Sequence, residues 1–209
     1  MFLEVIENLD QFTENDLIRE LNILPPQRLR KALQFLHFRD RLCSALAFNL
    51  LASVLKKHFN IPQLPPFDFL PSGKPFFKDY PHIHFNISHC SSAVAVAVDN
   101  SPVGVDVETV KPLDRELLEF VCSSEEIDLI LSSKQPETEF ASVWTKKEAL
   151  LKFHGTAIPN PNKLKIILEE HLPDVPPFLT TFIRPNYTLS IASTPDTPIQ
   201  YPLLHVKKP

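Results

Sequence analysis

Three glycines against twenty-one prolines leave this chain of 209 residues few places to bend freely. Proline fixes φ and removes a backbone donor, so it marks loops, edges and the first turns of helices. Its share here is about twice the usual one, which predicts stiff, well-defined connections. Gly73, Gly104 and Gly155 each lie in or beside a segment that stands out for other reasons. Gly104 falls inside Val103-Gly-Val-Asp-Val-Glu108, and a glycine within a strand marks close backbone approach.

A hydrophobic content of 44% is enough for a proper core, in one large domain or two small ones. The formal charge of −4 argues against general nucleic-acid binding, but it is unevenly spread. Residues 21–60 carry seven bases (Arg28, Arg30, Lys31, Arg39, Arg41, Lys56, Lys57) against Asp40 alone. A basic island in an acidic chain points to a polyanionic ligand or an acidic partner. Cys43, Cys90 and Cys122 are odd in number, far apart and without a CxxC, as in a reduced compartment with thiols used as small core residues. With no early apolar run of secretory or membrane-spanning length, a cytoplasmic protein with no membrane contact is expected.

Periodicity organises the chain into helices and strands. Arg28 to Phe59 predicts one or two helices, opened by Pro25-Pro26 and closed before Pro62. Strands are expected over Ile83–Ser88, Ala93–Val98 and Val103–Val107. Helices follow at Leu113–Phe120, Glu125–Leu131 and Glu137–Phe153, then strands at Leu164–Leu168, Phe178–Ile183 and Tyr187–Ala192. Each half thus offers a major helix followed by about three strands. The expected class is α+β, with two similar halves, residues 1–100 and 101–209, each a major helix on a small, mostly antiparallel sheet.

Two segments carry the chemistry. On a strand, Asp106 and Glu108 share one side of the pleat while Val105 and Val107 take the other. On a helix, Trp144-Thr-Lys-Lys-Glu-Ala-Leu-Leu-Lys152 puts Glu148 and Lys152 one turn apart on one face. Brought together they supply three carboxylates and an ammonium, enough to hold Mg²⁺ and act on a phosphate ester. Taken singly, each also fits a plainer reading. The strand acids would simply face water, Glu148 and Lys152 would form a surface pair, Lys146 and Lys147 would be solvated, and Trp144 would pack on the core. His82, His84, His89 and Cys90 lack a second cluster at ligand spacing, so a structural zinc is not expected. His89 suits hydrogen bonding to an anion instead. Arg28 and Lys31 share a helical face.

In order, Gly73-Lys-Pro75, Phe85-Asn-Ile-Ser-His89, Val103-Gly-Val-Asp-Val-Glu108 and Trp144 to Lys152 resemble the phosphopantetheinyl transferases of the Sfp type. The resemblance spans about residues 25–155. It implies a pseudo-dimer of two α+β halves with the active site between them. It also implies transfer of 4′-phosphopantetheine from coenzyme A to a serine hydroxyl of an apo acyl or peptidyl carrier protein, in fatty acid, polyketide or nonribosomal peptide biosynthesis. Carried over by motif, Asp106, Glu108 and Glu148 would bind Mg²⁺, and Glu148 would be the general base, directly or through a water. Lys152 would contact the phosphates and assist the leaving group, with Asp106 also catalytic. Ser88 and His89 would contact bound coenzyme A and Lys74 would hold its phosphate end. Arg28 and Lys31 would grip the 3′-phosphate, with Arg30 an equally placed rival. Cys43 stands where the family usually carries an arginine, and Arg41 lies nearby. A monomer is expected, since two halves complete the site. The competing classes are a non-catalytic coenzyme A or nucleotide-binding module and a Mg²⁺-dependent phosphohydrolase.

Overall fold

The computed structural model describes residues 1–155, 178–194 and 198–200 of the chain. It opens with strand β1 (Phe2–Glu7), followed by helices α1 (Glu14–Asn22), α2 (Pro26–Ala32) and α3 (Phe38–Phe59). Thr13 and Asp16 cap the start of α1 reciprocally, and Pro26 occupies the first turn of α2, where its missing N–H costs nothing. Helix α3 ends where Asn60 turns left-handed (φ 56°) and Ile61 N–H reaches back to Leu55. Two short strands, β2 (Phe67–Phe69) and β3 (Pro75–Phe77), pair as a ribbon. Then come β4 (His84–His89), β5 (Ala93–Asp99) and β6 (Val103–Thr109). Helices α4 (Arg115–Val121), α5 (Ser124–Ser132) and α6 (Pro136–His154) precede β7 (Phe178–Ile183) and β8 (Tyr187–Ser193).

The longer strands make two antiparallel three-stranded sheets, ordered β1-β5-β4 and β6-β8-β7. Strand alternation sorts their side chains into layers. From β5, Val94, Val96 and Val98 join the core under α3 with Leu42, Leu46, Leu50 and Val54. Ala93, Ala95 and Ala97 turn the other way, into a core shared with Leu3, Val5, Val103, Val105, Val107, Leu189 and Ile191. That shared core joins the two sheets. They also meet along β4 and β6, where Val105 N–H donates to Asn86 Oδ1 (2.9 Å) and Val107 N–H to Ser88 Oγ (3.3 Å). The far face of the second sheet is left for α6, whose Ala149 and Leu150 pack with Ala192 of β8.

The α+β class matches the reading of the sequence, and one detail of it is corrected. Among the described residues, the long helix of each sheet is followed by two of its strands and not by about three, and Val103–Thr109 pairs with β8. Each sheet therefore has one strand before its long helix and two after it, with the last strand central in both. The first sheet owes its outer strand to β1, which periodicity did not flag. Phe2 and Ile6 pack on the α3 side and Leu3 and Val5 on the other, so no apolar–polar alternation appears. Glu4 interrupts the run while being fully buried. The expected strand Leu164–Leu168 lies outside the described residues.

Candidate active site

The site begins with the backbone of β6 pressed against that of α6. A Cβ built on Gly104 would lie 2.1 Å from the Ala149 carbonyl oxygen and 2.5 Å from the Phe153 nitrogen. Only a residue without a side chain permits that approach, and it brings the acids of β6 up to the lysine of α6. Lys152 Nζ donates to Asp106 Oδ1 at 2.6 Å and to Ser88 Oγ at 3.0 Å. Ser88 Oγ in turn donates to Asp106 Oδ1 at 2.8 Å. Asp106 is buried, and Glu108 and Glu148 are half-buried.

These groups line one open pocket of about 340 Å³. Ser88 and His89 contribute from β4, Asp106 and Glu108 from β6, and Trp144, Glu148 and Lys152 from α6, with Ile87 completing the wall. The electrostatics of the pocket are those of crowded carboxylates. Burial, then the neighbouring Asp106 charge, raises the Glu108 carboxyl to about 7. The same two causes raise Glu148, with Lys152 pulling the other way. Asp106 Oδ2 and Glu148 Oε1 are buried acceptors without a hydrogen-bond partner. Crowded, under-bonded carboxylate oxygens are the donor set that a hard divalent cation satisfies. Among the described residues, no three carboxylate, histidine or cysteine groups are arranged to hold a metal ion as they stand. On the Asp106 side, the Lys152 ammonium supplies the positive charge.

A second pocket, of about 460 Å³, adjoins the first through Glu108 and Trp144 and is floored by Leu117, Phe140 and Ala141. Trp144 thus does more than fill core. It packs near Phe140 (ring centroids 6.2 Å apart), acts to lower the Glu108 pKa against the effect of burial, and lines both pockets.

Residues 102–199 match the family model described as the 4′-phosphopantetheinyl transferase superfamily. The chain is 29% identical over 194 residues to the 4′-phosphopantetheinyl transferase Sfp of Bacillus subtilis (strain 168), spanning 86% of this chain and 87% of that protein. It is 28% identical over 202 residues to the 4′-phosphopantetheinyl transferase ffp of Bacillus subtilis, with 89% of each covered. A shorter match, 39% identical over 89 residues, is to the 4′-phosphopantetheinyl transferase psf-1 of Bacillus pumilus, covering 42% of this chain and 38% of that one. The chain is thus similar to 4′-phosphopantetheinyl transferases along most of its length.

The structure places the residues singled out by sequence in three different settings. Asp106, Glu108, Glu148, Lys152, Ser88 and His89 share the pocket. Arg28, Lys31 and Lys74 are not among its walls. Arg28 is buried, its guanidinium carbon 4.3 Å from the centre of the Phe48 ring and 4.5 Å from that of Phe67, and burial lowers its pKa. Arg30 and Lys31 are exposed on the same short helix.

Lys74 departs from its expected role. Its ammonium donates to the carbonyls of Val103 (3.2 Å), Lys152 (2.6 Å) and Phe153 (3.0 Å), which uses all three of its hydrogens and leaves none for a phosphate. It caps the C-terminal end of α6, where the helix dipole favours a cation, and burial brings its pKa down to about 8. Arg41 donates its Nε to the Phe35 carbonyl at 2.7 Å.

Lys147 corrects the expectation of a solvated residue. It is fully buried, donating to the Val121 carbonyl (2.9 Å) and to Glu126 Oε2 (2.6 Å). Glu126 also closes the capping box of α5 with Ser123, so Lys147 ties the site helix to α5 by an ion pair and to α4 by a hydrogen bond. The signal was present in helical spacing: Val143, Leu150 and Leu151 lie on the face of Lys147 and are buried with it.

Proposed function

We propose that the protein transfers the 4′-phosphopantetheine group of coenzyme A to a serine hydroxyl of an apo acyl or peptidyl carrier protein, with Mg²⁺ as cofactor. Adenosine 3′,5′-bisphosphate is released. The observation that carries this reading is the convergence of Asp106, Glu108, Glu148 and Lys152 on one pocket, beside Ser88 and His89. Asp106, Glu108 and Glu148 would hold the cation, which neutralises charge on the pyrophosphate when bound.

The chain's own groups do the rest. Glu148 takes the proton of the attacking serine, and its raised pKa, caused by burial and then by the Asp106 charge, makes it a stronger base than an ordinary carboxylate. The serine oxygen forms a bond to the β-phosphorus as the bond from that phosphorus to the adenosine bisphosphate oxygen breaks. Lys152 stabilises or protonates that departing oxygen. Ser88 holds the Lys152 ammonium and the Asp106 carboxylate in register. The matching strand order of the two sheets supports reading residues 1–100 and 101–209 as halves of a pseudo-dimer that completes its site as a monomer.

Incubating the protein with coenzyme A, Mg²⁺ and an apo carrier tests the proposal by intact mass. The carrier is expected to gain one phosphopantetheine. Coenzyme A consumed without a labelled carrier would indicate a phosphohydrolase, and binding without consumption a binding module. Arg28→Ala with Lys31→Ala is expected to raise KM for coenzyme A well above its effect on the 3′-dephospho form. An equal effect on both would remove the pair from 3′-phosphate recognition.

The acid cluster also predicts a pH dependence. Because the Glu108 pKa is raised by folding, the folded protein binds that proton more tightly than the unfolded chain does. Its contribution to stability is therefore present below the unfolded value of 4.5 and is lost as pH rises towards about 7. Relative to Glu108→Gln, the metal-free protein is expected to lose Tm across that window. Mg²⁺ is expected to raise Tm more at about pH 8 than at about pH 6, because the cation competes with the proton. A Mg²⁺ effect independent of pH would count against carboxylate ligation.

A further inference from the structure

Two buried acceptors in the pocket lack donors, and one buried donor close by lacks an acceptor. Arg39, in the first turn of α3, keeps its Nη1 buried with no hydrogen-bond partner. A buried, charged donor left unpaired is costly, so it persists where a ligand completes it. The position of Arg39 follows from its neighbours. Burial pushes the Cys43 thiol up to about 11, and the Arg39 guanidinium is the strongest influence acting against that rise, which puts its charge beside Cys43 one turn along the helix. Cys43 Sγ lies 3.8 Å from the Cys90 carbonyl oxygen, directly after His89. Asp40, the next residue after Arg39, acts electrostatically on His89, as do Lys152 and Asp106. The first turn of α3 therefore lies against the end of β4 that carries Ser88 and His89 to the pocket. Of the other arginines in this stretch, Arg41 donates its Nε to the Phe35 carbonyl, Arg28 lies over the Phe48 and Phe67 rings, and Arg30 is exposed on α2.

We propose that Arg39 is a substrate-binding residue, donating a charge-assisted hydrogen bond to a phosphate oxygen of coenzyme A. The assignment rests on the coenzyme A reading above and adds to it a basic contact from α3 that sequence motifs did not single out. It accounts for the unpaired guanidinium, since a phosphate is the acceptor that the planar fork of arginine fits best.

Calorimetric titration of coenzyme A, and separately of 3′-dephospho-coenzyme A, into the wild type and Arg39→Gln tests this without any carrier or turnover. Arg39→Gln is expected to bind coenzyme A about ten- to a hundred-fold more weakly, the range for one charge-assisted hydrogen bond. A loss confined to coenzyme A assigns the contact to the 3′-phosphate, and an equal loss on both ligands assigns it to the pyrophosphate; either supports the proposal. Arg39→Lys, which keeps the charge without the fork, is expected to fall between the two proteins and serves as the test where the glutamine variant does not fold. Arg39→Met is expected to melt no lower than wild type without ligand, since it removes an unpaired buried donor, yet to gain less Tm from coenzyme A. Wild-type affinity in Arg39→Gln, or in Arg39→Lys where that is the variant measured, overturns the assignment of Arg39 alone. A wild-type protein that binds neither ligand overturns the coenzyme A reading and this assignment with it.

Discussion

Glu148→Gln is expected to reduce carrier modification by about 10²- to 10⁴-fold, the range a positioned general base contributes, while coenzyme A binding stays measurable. Glutamine keeps the shape and one acceptor of the side chain but cannot take a proton. Glu148 reaches the pocket from the middle of α6, with Oε1 buried and unpartnered, so the substitution leaves the helix and its packing in place. Loss of a cation ligand would add to the loss of a base, and the two are separable. A ligand role alone is expected to be partly overcome by raised Mg²⁺, whereas a missing base is not. Single-turnover modification of an apo carrier, measured by mass across a Mg²⁺ series, checks both. Wild-type turnover would take Glu148 out of the reaction.

The site was legible in the sequence where its geometry is local. Asp106 and Glu108 follow from strand alternation, and Glu148 and Lys152 from one helical turn, so two short segments already fixed which side chains share a face. Gly104 pointed to a close approach, and the structure shows α6 as the element that approaches. What was not legible depends on burial and on distant partners. Lys74 and Lys147 are each hydrophilic in composition, yet one caps a helix 78 residues away in sequence and the other is buried in an ion pair. Neither partner lies within a window that periodicity can scan. Arg39 differs again: its signal is an unpaired nitrogen, which exists only once the surrounding chain has closed over it. The outer strand β1 was hidden because a buried acid, Glu4, breaks an otherwise apolar run.

Gly104→Ala is expected to be the most damaging single-methyl change in the described residues. Its effect is a matter of space rather than backbone conformation: among the described glycines, positive φ occurs at Gly73 and Gly155, and Gly104 is not one of them. The added Cβ would meet three backbone atoms of α6, at 2.1, 2.5 and 3.0 Å, and none of these can swing aside as a flexible side chain would. The helix must move as a unit or the strand must bow away from it. Overpacking of this kind costs typically about 1–3 kcal/mol and occasionally more, and a rigid backbone obstacle belongs at the upper end. For a chain of this size that corresponds to a Tm lower by about 6 °C or more. Gly73→Ala is the matched control, because its Cβ would meet nothing within 4 Å and only its φ of +87° is unfavourable. Activity is expected to fall further than stability does, since any shift of α6 carries Glu148 and Lys152 away from Asp106 and Ser88, and a displacement of about 1 Å is enough to cost about 10²-fold in rate. Differential scanning calorimetry with parallel turnover measurements on both alanine variants distinguishes the two losses. A Gly104→Ala protein that melts and turns over like wild type would mean that β6 and α6 stand farther apart than described, and the pocket built on their contact would lose its basis.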